Sequence, residues 1–286
     1  TGYFPHQTGV LSNIQSTPTV PKNIATLGSL FRKAGYETIH FGKQHDCGGL
    51  RGFKKEPVKE LEVKGKPQWP FNYDTRRDRY TTTRAVDFLR EYNDQKPFLA
   101  VADMSNPHNI CGWVGENKDP HTDLSIPGEL PSLPKNFEDE NFEELPLPVQ
   151  YICCTHRRLS QTEGWNKENY RYYLAAYYHY LERVDKEIGL ILNALEDRSD
   201  SEDTLIIFMA DHGDGMAAHR MVTKQVSFQE EITNVPFIVA GPGIKGENKC
   251  LEEPLVSLLD LLPTLCDYVD IDYPDKLWGK SLVPWL

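Results

Sequence analysis

Leu205-Ile206-Ile207-Phe208-Met209-Ala210-Asp211-His212-Gly213-Asp214-Gly215 is the stretch on which the fold turns. A short unbroken apolar run that stops at turn residues predicts a strand buried on both faces. The run leads directly into Asp211. A buried carboxylate needs a partner, because an isolated charge out of water is strongly disfavoured. A hard cation is a natural partner, since carboxylate oxygen is the donor that Ca²⁺ prefers. His212 adds a neutral ligand or a hydrogen-bond donor, and Gly213 and Gly215 permit a tight turn. Asp214 reads as a turn residue. The plainer alternative for Asp211 is an Asp that caps a turn. Just beyond lie Ala218-His219-Arg220 and Lys224.

Outward from this stretch, predicted strands and helices alternate, which argues for an α/β layer fold. The spacing predicts a helix over 24–34, with Leu27, Leu30 and Phe31 on one face and Gly35 closing it, and then a strand over 36–41. A helix follows over 81–92 with Ala85, Phe88, Leu89 and Tyr92 on one side, and an apolar strand over 97–103. Residues 168–195 keep a helical period through Leu174, Tyr177, Tyr178, Leu181, Val184, Ile188, Ile191, Leu192 and Leu195. That tyrosine-rich stripe reads as core packing. Strands over 204–210 and 235–240 and a helix over 255–269, with Leu258, Leu259, Leu262 and Leu265 facing inward, complete the series. Residues 106–166, rich in Pro, Gly, Asp and Glu, form a long insertion whose plainest reading is a solvated surface loop.

Composition narrows the function. The 286 residues carry a net charge of −11. A broad nucleic-acid surface is therefore not expected, and an anionic substrate must be held by a few focused cations. No apolar run reaches the roughly 20 residues that span a bilayer. The six cysteines, Cys47, Cys111, Cys153, Cys154, Cys250 and Cys266, form no metal-ligand spacing and fix neither disulfides nor compartment.

Two further clusters stand where strands end, the edge at which open α/β sheets bind ligands. In Phe41-Gly42-Lys43-Gln44-His45, Lys43 suits an anionic oxygen and His45 can exchange a proton near neutrality. In Asn106-Pro107-His108, Pro107 ends the ladder and directs His108, which could protonate a leaving oxygen. Read singly, each is as well explained by a solvated Lys or a structural His. His121 is a rival to His108 but follows no predicted strand.

Taken together, these clusters resemble type I sulfatases of the alkaline phosphatase superfamily. Thr1-Gly2-Tyr3-Phe4-Pro5-His6-Gln7-Thr8-Gly9-Val10 looks like the stretch after the Cys- or Ser-x-Pro-Ser-Arg signature. The run from Thr26 through Ala34-Gly35-Tyr36 to Phe41-Gly42-Lys43-Gln44-His45 is similar to the second signature. Pro97-Phe98-Leu99 with Pro107-His108, the 204–239 region, and Ser257-Leu258-Leu259-Asp260-Leu261-Leu262-Pro263-Thr264 match three further blocks in order.

The resemblance implies a three-layer α/β/α sandwich with a predominantly parallel mixed sheet. Residues 1–286 would be one catalytic domain, with 106–166 inserted in it, lacking an N-terminal segment and a small C-terminal subdomain. It implies that Asp211 and His212 are metal ligands for Ca²⁺, with Mg²⁺ possible, and that Lys43, His45, His108 and Lys224 are catalytic. Lys43, His108 and Lys224 would also bind substrate, joined by His6. His108 and Lys224 would flank the scissile oxygen, with His108 the proton donor. A formylglycine nucleophile is expected upstream of Thr1, since no cysteine here has the signature context. The implied substrate is a sulfated small molecule or glycan, with a glycosaminoglycan favoured and a periplasmic, secreted or lysosome-like setting. A phosphodiesterase or phosphonate monoester hydrolase of the same superfamily, or a non-catalytic sulfatase-like binding protein, are the alternatives.

Overall fold

The computed structural model describes residues 1–12, 18–57, 76–117, 128–138, 142–155, 161–224, 228–245 and 249–286. Its strands are β1 (Glu37–Gly42), β2 (Lys54–Pro57), β3 (Phe98–Asp103), β4 (Ile206–Met209) and β5 (Phe237–Ala240). Its helices are α1 (Pro5–Thr8), α2 (Leu27–Lys33), α3 (Arg76–Glu91), α4 (Ile110–Glu116), α5 (Leu147–Thr155), α6 (Lys167–Glu196), α7 (Glu230–Thr233) and α8 (Leu261–Tyr268).

β1 is the centre of a parallel sheet ordered β2-β1-β3, in register from Glu37 opposite Phe98 to Gly42 opposite Asp103. Side chains alternate across a strand, so Ile39 and Phe41 share one face and Thr38 and His40 the other. Ile39 and Phe41 pack with Ala85 and Phe88 of α3 and Ile191 of α6. Leu99, which shares the Thr38 face, packs with Phe31 of α2 and with Leu262 and Cys266 of α8. Helices therefore cover both faces, and the three layers follow from β1 being apolar or satisfied on each side. Thr38 is buried because its hydroxyl donates to the Gly52 carbonyl at 2.6 Å. β2, a charged edge strand that periodicity does not reveal, takes the other side of β1.

The second sheet differs from expectation. β4 pairs antiparallel with β5, Phe208 opposite Ile238, and among the described residues no further strand joins it. The sequence predicts β4 buried on both faces, yet Phe208, Met209 and Ile238 are exposed. An apolar run reports a need for cover, and β5 supplies only an edge. β5 begins at Phe237 because Pro236 before it has no N–H to give a ladder.

α6 is capped by Asn166, whose side chain accepts from the backbone N–H groups of Glu168 and Asn169 at 2.9 and 3.1 Å. Its buried face carries Tyr170, Tyr173, Leu174, Tyr177 and Tyr180, as the core reading requires. Tyr178, Leu181 and Leu192, expected on that face, are exposed. The predicted helix over 255–269 starts later. Ser257 and Asp260 form a capping box that opens a 3-10 turn before α8, so Leu255, Val256 and Leu258 stay exposed.

Residues 106–166 are not simply solvated. Ile110, Trp113 and Val114 of α4, with Phe137, join the α6 tyrosines in the largest core cluster. Hydrophobic burial here drew a Pro- and Gly-rich segment into the body of the fold.

Arg198, after α6, ties the layers together. Its guanidinium donates to the carbonyls of Leu89 and Tyr92, pairs with both Asp200 oxygens at 2.7 Å and lies over the Phe98 ring. Arg198→Ala should lower unfolding stability in urea by about 2–3 kcal/mol, and Arg198→Lys should not restore it, because a point charge cannot reproduce the fork.

Candidate functional site

Three loops meet beyond the strand ends. After β1 the chain turns at Gly42, whose φ is +102° and where a Cβ would lie 2.0 Å from the Asp103 carbonyl oxygen. Only glycine fits, and the Lys43 N–H then donates to that same oxygen at 3.1 Å. Lys43 is thus launched from the sheet edge beside the end of β3. After β3, the His108 N–H donates to Ser105 O at 2.9 Å and His108 O accepts from Cys111 N–H at 3.0 Å, which leads the turn into α4.

The third loop, 211–224, folds back on itself. Gly213 N–H donates to Ile232 O at 2.8 Å, Gly215 N–H to Thr223 O at 3.0 Å, and Ala217 N–H to Met221 O at 2.9 Å. A Cβ at Gly213 would sit 1.9 Å from the Glu231 carbonyl oxygen. Met216, Ala217, His219, Arg220 and Thr223 all have positive φ, a conformation that non-glycine residues rarely adopt. The network that holds them is buried. The Tyr173 hydroxyl on α6 donates to Asp214 Oδ1 and accepts from the Thr223 N–H at 3.1 Å. Burial pushes the Asp214 carboxyl up, although the Tyr173 hydrogen bond acts the other way. Burial likewise raises the Tyr173 phenol well above its ordinary value, so it stays a donor. His219 N–H also donates to Asn136 O at 2.9 Å, which binds residues 128–138 to the loop.

The result is a contact across 116 residues: Lys224 Nζ meets His108 Nδ1. An ammonium only donates, so Nδ1 accepts and the His108 proton sits on Nε2. Burial first, then Lys224, Lys43 and His212, lower the His108 imidazole to about 4, while Asp211 acts in the opposite sense. Burial also lowers Lys224, with Lys43 adding to the fall. Lys43, His108, Asp211, His212 and Lys224 therefore lie within one another's electrostatic reach. His45 is exposed and makes no hydrogen bond or ion pair among the described residues. His6 is exposed and stacks on Phe4, with ring centroids 5.6 Å apart. His121 lies outside the described residues.

For a metal, the donor chemistry fits in part. His212 Nδ1 donates to its neighbour's carbonyl, Gly213 O, at 2.8 Å, which leaves Nε2 free 3.5 Å from Asp211 Oδ2. Calcium takes six to eight ligands, roughly, most of them oxygens. Among the described residues no group of three or more His, Cys, Asp or Glu side chains gathers to hold an ion. Asp211 and His212 are thus an incomplete pair.

Comparisons with known proteins show the family and the fold. The Sulfatase family model matches residues 1–271. The chain belongs to the sulfatase family. It is 51% identical over 290 residues to a Delta 4,5-hexuronate-2-O-sulfatase of Bacteroides thetaiotaomicron, covering 100% of this chain and 60% of that protein. A solved 2-O GAG sulfatase superposes with a TM-score of 0.93 at 50% identity, over 100% of this chain and 61% of the other. The phosphonate monoester hydrolase of Agrobacterium radiobacter shares the fold, with a TM-score of 0.73 at 22% identity over 100% of this chain and 66% of that one. The fold is thus the α/β, alkaline phosphatase-like one of the sulfatases, and this sulfatase chain spans about three fifths of its two closer relatives.

Sequence reasoning overlooks the side chains that hold this candidate site. Tyr173 lies beside the tyrosine-rich stripe but is not singled out by it, and Asp214 reads only as a turn residue. A polar hydroxyl in a buried helix stripe must find a partner, and that rule was the available signal.

The His108 ring should titrate near 4 when followed by histidine NMR. Lys224→Met removes a positive neighbour that disfavours the imidazolium, so the midpoint should move up towards the ordinary value of about 6.5. A midpoint unchanged by that substitution would contradict the contact.

Proposed function

We propose that the protein carrying this chain hydrolyses sulfate esters of a sulfated glycan, with the 2-O-sulfate of an unsaturated hexuronate as the substrate class. The observation that carries the reading is the Lys224–His108 contact within the field of Lys43. The 51% identity to a hexuronate-2-O-sulfatase, over all of this chain, supports the choice of sugar.

The chemistry follows from the charges. Cleavage of a sulfate ester leaves negative charge on the sulfate oxygens and on the departing alcohol oxygen. Fixed cations in a partly desolvated site lower the energy of that arrangement most. Lys43 and Lys224 supply the field on the sulfate side. His108, neutral near pH 7 and protonated on Nε2, hands its proton to the leaving oxygen while Nδ1 draws on the Lys224 ammonium. The pair, rather than a lone imidazolium, is then the proton donor. His45, two residues after Lys43, and His6 enter the reading through the family resemblance, His45 as a catalytic residue and His6 as a substrate contact. Asp211 and His212 would hold one side of a Ca²⁺ ion, which when bound adds positive field at a sulfate oxygen. The nucleophile of the reading is a formylglycine. None of the six cysteines stands in the signature context, so the reading assigns it to polypeptide beyond these 286 residues. Family resemblance also favours a non-cytoplasmic setting. No helix among the described residues is long and apolar enough to cross a membrane.

Kinetics on paired substrates test the proposal. Hydrolysis of a disaccharide bearing an unsaturated 2-O-sulfated uronate should exceed that of its 6-O-sulfated isomer, and of matched phosphate and phosphonate monoesters, by more than about tenfold in kcat/KM. Phosphonate turnover equal to sulfate turnover would move the protein to the hydrolase alternative, and binding without turnover to the non-catalytic one. His108→Ala or Lys224→Ala should each cost roughly 10²–10⁴-fold in kcat/KM. Chelation should abolish activity and added Ca²⁺ should restore it.

A further inference from the structure

We infer that Asp78, in the first turn of α3, is a positioning residue that clamps Ser105 and Asn106 and thereby holds the His108 ring against Lys224. The inference rests on the reading of His108 and Lys224 as the leaving-group pair.

Asp78 is buried, only 2% exposed. Its Oδ1 accepts from the Ser105 N–H at 2.5 Å, and its Oδ2 accepts from the Asn106 N–H at 3.1 Å and from Asn106 Nδ2 at 2.6 Å. No cation pairs with it among the described residues, and Glu187 adds a like charge. Burial pushes its carboxyl up despite the three hydrogen bonds. Such a group is costly to bury without a cation, so its role has to be one that a neutral residue performs poorly. Three converging donors need two acceptor oxygens, which a carboxylate has and a carboxamide lacks.

What these donors control is one turn. Ser105 O accepts from the His108 N–H, and Pro107 O accepts from the Ile110 N–H at 3.0 Å, so fixing Ser105 and Asn106 fixes the base of the His108 turn. On its far side the turn is fixed by α4, whose Ile110, Trp113 and Val114 are core. The imidazole is thus held at both ends of its turn, once by apolar packing and once by Asp78. Lys224 arrives from a separate loop with its own clamp. Their meeting requires each side chain to be placed independently, and for His108 the only buried charge that touches its turn among the described contacts is Asp78.

The test uses Asp78→Asn, with Asn106→Ala as a milder variant that removes one donor and leaves the carboxylate. Both are made in the protein carrying this chain, and thermal unfolding checks that each folds. A misplaced proton donor harms a substrate whose leaving alcohol must be protonated and spares one whose leaving group departs as a stable anion. Asp78→Asn should lower kcat on the sugar sulfate roughly 10–100-fold and on 4-nitrophenyl sulfate less than about threefold, with KM little changed. Asn106→Ala should act in the same sense by less. Independently of activity, the His108 midpoint should rise from about 4 towards its ordinary 6.5 as the ring leaves Lys224. An unchanged midpoint in both variants, or equal losses on both esters, overturns the positioning role. If the unmodified protein cleaves neither ester, the sulfatase reading fails, and the ring titration alone decides the clamp.

Discussion

An ammonium pressed against an imidazole, with a second ammonium in range, is an arrangement that free side chains avoid. Repulsion between the two ammonium groups and lost hydration act against it, although the neutral imidazole accepts a hydrogen bond from one of them. Lys224 and His108 meet nonetheless, with Lys43 in electrostatic range, so the fold must supply the energy that keeps them there. The lowered proton affinities of His108 and Lys224 reflect that cost at the two groups themselves. Preorganisation of this kind gains its return only when an anion arrives, since fixed cations then need no rearrangement.

The holding groups are deeper than the site. Tyr173 stands on the longest helix and reaches a loop with five non-glycine residues at positive φ between Met216 and Thr223. Each such residue costs of order 1–3 kcal/mol, so the segment persists only where its surroundings determine it. Asp214 gives the Tyr173 hydroxyl an acceptor, the hydroxyl gives Thr223 an acceptor, and Lys224 is the next residue. Core packing of α6 against α3 and α4 thereby becomes the position of one ammonium group.

The sequence revealed what depends on local periodicity and strand ends. The apolar run before Asp211, the glycine turn before Lys43 and the proline before His108 placed three clusters at one edge, and the α6 stripe was plain from its 3.6-residue period. Other features depend on long-range partners and were not legible. β2 is polar and becomes a strand only because β1 offers an open side. The core role of Trp113 and Val114 hides in a Pro- and Gly-rich segment whose composition suggests a loop. The β4 run announced burial that β5 alone does not provide. Asp214 looked like any turn aspartate, because nothing near it in the chain indicates a tyrosine 41 residues earlier.

The balance of charge at the site also bears on its timing. With the site free, His108 is neutral above about pH 4, and Lys43 and Lys224 set the local charge. The chain is acidic, at −11, so these few cations are the local attraction for an approaching anion. Once the anion lies among them, its charge offsets the two ammonium groups that kept the imidazole from accepting a proton. On the proposed reading, Nδ1 then takes a proton from Lys224 more readily as Nε2 gives its own to the leaving oxygen. By the same linkage, a protonated His108 would hold the anion more tightly. On the proposed reading, binding and acid catalysis share one electrostatic cause, the anion easing the relay of a proton from Lys224 through His108.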